Sequence, residues 1–80
     1  MLVKVFVTLK EGVLDPQGKA VENSLHSLGF DAVQEVRVGK YLELRLDVAA
    51  AEDAEQQARR MCEKLLANPV IEDYRFEVAR

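Results

Sequence analysis

The chain has 80 residues, of which 49% are apolar and 31% charged, with a formal net charge of −3. That allows one modest core burying roughly 60–65% of the unfolded surface, is too apolar for a disordered chain, and disfavours nucleic acid and anionic membranes as partners. The longest apolar run is Val48 to Ala51, Lys4 interrupts any signal-like stretch, and the lone Cys62 has no internal disulfide partner, so no membrane association and a cytoplasmic location are expected.

Residues Leu2 to Lys10 alternate, with Val3, Val5, Val7 and Leu9 on one side and Leu2, Lys4, Phe6, Thr8 and Lys10 on the other, which predicts a strand. Asp15-Pro16 reads as a helix start, because Asp15 can accept from orphan N–H groups and Pro16 carries the φ of a first helical position. Val21, Leu25 and Leu28 form one stripe, and Gly29 is placed to close the helix near Leu28. Val33 to Val38 reads as a second strand, joined by a Gly39-Lys40 turn to a third in which Leu42, Leu44 and Leu46 alternate with Glu43, Arg45 and Asp47. Ala54, Ala58, Met61, Cys62 and Leu65 recur at helical spacing within Ala51 to Ala67, and Asn68-Pro69 stops that helix. Val70 to Ala79 is the last predicted strand, with Tyr74, Phe76 and Val78 on one side.

The order β-α-β-β-α-β predicts an α+β, ferredoxin-like fold over residues 1–80: an antiparallel four-stranded sheet with both helices on one face. The other face would carry Leu2, Phe6, Val33, Tyr41 and Ile71 among Lys4, Arg37, Glu43, Arg45 and Arg75, too apolar to stand wholly in water. With so small a core and no disulfide, a homo-oligomer is expected, a dimer or a dimer of dimers, with exchange of segments between chains left open.

The residue pattern points away from catalysis. Cys62 falls within an apolar stripe rather than beside a base, and reads as core. His26, the single histidine, has no second ligand at metal spacing and reads as a solvated helix residue. Asp47, Glu52 and Asp53 suit a strand end and a first helical turn, while Arg59-Arg60 and Arg37 with Lys40 read as surface charge. The loop Gly12 to Gly18 feeds a helix N-terminus and could offer N–H groups to an anion or a partner, but no Lys-Ser or Lys-Thr follows, so it is no P-loop. The residues alone give a binding or assembly module.

Three blocks go further: Lys10 to Glu22; Leu28-Gly29 with Val33 and Val36 to Lys40; and Cys62 to Tyr74. In order and over nearly the whole chain they resemble the PurS family, the small subunit of phosphoribosylformylglycinamidine synthase. The resemblance implies a non-catalytic subunit of a C–N ligase complex of de novo purine synthesis, which uses ATP and ammonia from glutamine to make formylglycinamidine ribonucleotide. It implies that ATP and magnesium bind the large synthetase subunit, that glutamine is hydrolysed on a glutaminase subunit, and that this chain binds no cofactor or metal and bridges the two. It also implies that Asp15, Pro16, Gln17 and Gly18 form a signature turn, Arg37, Gly39 and Lys40 a hairpin, and Asn68 and Pro69 the entry to the last strand, several of them at subunit contacts. Gly18 would allow close backbone approach and Gly39 a positive φ. An ACT-like small-molecule-binding regulatory domain shares the element order and is the alternative. An acylphosphatase-like enzyme is disfavoured, because the loop after Lys10 holds no Arg.

Overall fold

Three alternating valines make the first strand the centre of the molecule. In the computed structural model, which describes residues 1–79, β1 (Leu2–Leu9) lies between antiparallel neighbours β2 (Gly39–Arg45) and β3 (Glu72–Ala79), in the order β2-β1-β3. Arg80, the last residue of the expected domain, lies outside the described residues. The register sets Val3 between Leu44 and Val78, Val5 between Leu42 and Phe76, and Val7 between Lys40 and Tyr74. One face of the sheet is therefore almost wholly apolar, and the three valines are completely buried or nearly so.

A single helix, α2 (Ala51–Met61), covers that face with Ala54 and Ala58, and Cys62 just beyond it completes the buried row. Glu52 and Asp53 in its first turn and Arg59 and Arg60 in its last complement the helix dipole. The chain then widens into a π-helix over Cys62–Leu66, closed by the Ala67 N–H donating to the Cys62 carbonyl at 3.0 Å. Leu66 packs against the core and Leu65 faces outward. At the stop signal, the Val70 N–H donates to Asn68 Oδ1 at 3.1 Å, and β3 begins two residues later than the alternation suggested.

The other helix departs from expectation. α1 (Pro16–Ser27) starts at the Asp15-Pro16 signal and ends beside Gly29, whose φ is 97°, yet it does not pack on the sheet. Its buried residues are Gly18 and Glu22, while Val21, Leu28 and the following Phe30 stand exposed.

The segment Val33–Val38 is no strand of this sheet, since it joins no ladder among the described residues. The Gly39-Lys40 hairpin is absent as well. Gly39 sits within the ladder opposite Thr8, with no positive φ, and a Cβ there would collide with the Val7 carbonyl. Close approach, not a turn, is what this glycine serves, and the chain runs straight from 33–38 into β2.

Two hydrogen bonds show where the segment goes. The Val38 N–H donates to Asp15 Oδ2 at 2.9 Å, and His26 Nε2 donates to the Val33 carbonyl at 2.7 Å. A helix from residue 15 to 26 rises about 16 Å, and residues 33 to 38 span that distance only when extended. The segment thus runs antiparallel along α1, and together they form an arm projecting beyond the sheet. The molecule measures 49 × 26 × 14 Å, with a radius of gyration of 15.9 Å, against about 12 Å for a compact chain of this length. No helix among the described residues is long and apolar enough to cross a membrane.

Candidate functional site

The arm meets the sheet at one end, where five of the nine expected residues come together. Asp15, Pro16, Gln17, Gly39 and Lys40 line one open cleft of about 320 Å³, together with Val7 and Leu9 of β1 and, as its β3 wall, Glu72. Asn68 stands behind this wall, its N–H donating to Glu72 Oε1 at 2.6 Å. Pro69 lies exposed in the turn that follows and Arg37 is exposed on the arm, both outside the cleft.

Asp15 is the hub of the junction. Oδ1 accepts from the Gly18 N–H at 2.9 Å, as an N-cap should, and Oδ2 accepts from the Val38 N–H, 23 residues away. These two N–H groups, with the Arg37 guanidinium adding to them, hold the carboxyl below the usual Asp range. Gly18 is buried here because α1 passes so close to the extended segment that a Cβ would collide with the Val36 carbonyl. The helix N-terminus is filled by the chain's own carboxylate, so an external anion finds no vacant cradle.

Along the arm, Glu22 follows Gly18 by one helical turn, takes a 2.8 Å salt bridge from Lys19, and has its carboxyl held low chiefly by that bond. His26 is exposed but bonded to the Val33 carbonyl, more than the solvated residue its position suggested. Val21, Leu28 and Phe30 give the arm an apolar stripe that stands exposed among the described residues.

The sheet face away from α2 is better satisfied by its own residues. The Phe6 and Tyr41 rings lie 5.0 Å apart, and Arg75 stacks 4.0 Å from the Phe6 centroid while pairing with Glu77 at 2.9 Å. The Tyr41 hydroxyl donates to Glu43 at 2.8 Å, which raises the phenol above its ordinary value. Cys62 is fully buried, and burial, with the Glu63 charge adding, pushes its thiol up, the opposite of what a nucleophile needs. Lys40 on one side and Asp15 and Glu72 on the other give the cleft charges of both signs beside apolar residues, a lining suited to a polypeptide surface.

Sequence reasoning found the cap at Asp15 but not its second partner, and no local signal marks a bond to an amide 23 residues on. It also missed the burial of Glu22, and the role of His26, which depends on a segment read as part of the sheet.

Comparison with known proteins gives a consistent picture. The family model PurS: Phosphoribosylformylglycinamidine (FGAM) synthase matches residues 2–80. The chain is 58% identical over 76 residues to phosphoribosylformylglycinamidine synthase subunit PurS of Bacillus subtilis (strain 168), covering 95% of this chain and 89% of the relative. It superposes with a TM-score of 0.87 at 38% identity, over 99% of this chain and 95% of the other, on PurS of Methanocaldococcus jannaschii, one of the subunits of formylglycinamide ribonucleotide amidotransferase in the purine biosynthetic pathway. A chain of PurLQS from Thermotoga maritima is similar with a TM-score of 0.83 at 32% identity, over 96% of each chain.

Proposed function

The chain belongs to the PurS family of phosphoribosylformylglycinamidine synthase, and from that membership we infer that it is the small subunit of this glutamine-dependent synthase in purine biosynthesis, acting in assembly rather than catalysis. Its partners are a large synthetase subunit and a glutaminase subunit, which it bridges in the cytoplasm. ATP and magnesium bind the large subunit, and this chain holds neither. Asp15, Pro16, Gln17, Gly18, Arg37, Gly39, Lys40, Asn68 and Pro69 work by shaping surfaces that meet other subunits.

The observation that carries an assembly role is the arm, an apolar helix stripe and an unpaired extended segment that the chain's own sheet does not use. A second copy completes it. In the homo-oligomer, α1 of one chain covers the half-exposed β2 side of the other's core face, where Leu42, Leu44 and Leu46 lie. Residues 33–38 pair with an edge strand. The result is the four-stranded, ferredoxin-like sheet with two helices on one face that a single chain does not form. Family membership also decides against an ACT-like regulatory domain.

The test is co-purification with the large and glutaminase subunits, with glutamine-dependent synthase activity measured with and without this chain. Stable association and activity that requires the chain are expected. Full activity in its absence overturns the reading.

A further inference from the structure

Asp15 does more than a helix cap requires. A cap needs one oxygen, and Oδ1 supplies it to Gly18. The second oxygen reaches across to Val38, where the arm returns to the sheet at Gly39 and β2 begins. Between them, Gly18 lets α1 touch the Val36 carbonyl, and at the far end His26 ties the helix to Val33. Among the described residues α1 makes no more than slight contact with the strands of the sheet, while these polar ties and the glycine contact join it to residues 33–38, which run directly into β2. We propose that the Asp15 carboxylate is a latch that locks α1 onto the extended segment and so aims the arm at a second copy of this chain.

The proposal rests on the homo-oligomer reading above. It makes Asp15 a positioning residue, acting through the arm rather than by contact with a partner. The groups that face it are the Arg37 guanidinium from the extended segment and, across the cleft, Lys40 of β2 and Glu72 of β3. The two N–H donors favour the ionised form. The latch is therefore closed above the ordinary Asp range and opens as pH falls through the lowered value of the folded protein.

The experiment compares wild type with Asp15→Ser and Asp15→Ala by amide exchange in NMR and by sedimentation. Serine is a good N-cap, but it is uncharged and has no second oxygen to stand where Oδ2 meets the Val38 N–H. In Asp15→Ser, α1 should keep its helical amides while Val38 exchanges faster and the oligomer dissociates at concentrations about tenfold higher or more, the loss of one charge-assisted hydrogen bond. Asp15→Ala should lose the cap as well. In wild type, the Gly18 and Val38 amide shifts should titrate together, with one midpoint below the ordinary Asp value. Assembly of Asp15→Ser equal to wild type, or separate midpoints for the two amides, overturns the latch and leaves Asp15 a plain cap. If wild type is a monomer, the homo-oligomer reading fails, and the latch then stands or falls on Val38 exchange in Asp15→Ser.

Discussion

Replacing Val21 and Leu28 together by alanine tests whether the bare stripe of α1 is an interface. The two side chains are 43% and 73% exposed in the single chain, and full burial of such a residue is worth about 1.5–3 kcal/mol. Scaled to the exposed fractions and allowing for the alanine methyl groups, the double substitution removes roughly 2 kcal/mol per chain. In a two-fold dimer each change counts twice, so the loss is about 4 kcal/mol, or roughly a thousandfold in the dissociation constant. The helix itself should not suffer, because alanine is a better helix former than valine and matches leucine or betters it. Sedimentation over a concentration series, with circular dichroism as the control, separates the two effects: weaker association with full helicity. A dissociation constant unchanged from wild type, with the helix intact, refutes the arm as the dimer contact.

Two further outcomes concern the sheet and its covering helix. Val5→Ala removes two methyl groups at the centre of the core, where the residue is fully buried between Leu42 and Phe76. The cost should be about 2–3 kcal/mol and the melting temperature should fall by roughly 10–20 °C, read by calorimetry at fixed protein concentration. The Cys62 thiol, buried and raised in pKa, should react with a disulfide reagent at pH 8 only as fast as the helix opens, and stoichiometrically in denaturant. Immediate labelling of the native protein would show that α2 does not seal the core.

Much of the fold is legible because burial imposes a period on the sequence. The alternation of Val3, Val5 and Val7, the Ala54-Ala58-Cys62 stripe and the Asp15-Pro16 start each appear where the pattern puts them. The errors concern Val33–Val38, the Gly39-Lys40 turn, the placement of α1, and Leu65, which the helical stripe would bury and which stands exposed in the π-helical turn. A period of two says that a segment wants one side buried, and a helical stripe says the same of a helix. Neither says against what. A glycine is equally ambiguous, since Gly39 answers the Val7 carbonyl rather than a left-handed turn. Of the nine residues singled out in the sequence, Asp15, Pro16, Gln17, Gly39 and Lys40 line one cleft. The bond that organises them was not legible, because it links residues 23 positions apart.

These misreadings share one physical cause, which bears on how the protein folds. Every segment placed wrongly carries an apolar pattern whose complement is missing from its own chain: α1 has no sheet beneath it and residues 33–38 have no strand beside them. A core of three valines, three alanines and a cysteine under one helix is small for 80 residues, and such a domain has little stability of its own to spare. On the proposed reading, covering the arm on a second copy would supply the missing burial and make folding and association one equilibrium in which stability rises with protein concentration. A melting temperature that climbs as the chain is concentrated, and climbs less for Asp15→Ser and for the Val21→Ala, Leu28→Ala pair, is the signature of that coupling. A melting temperature independent of concentration would mean instead that the projecting arm waits for a different subunit.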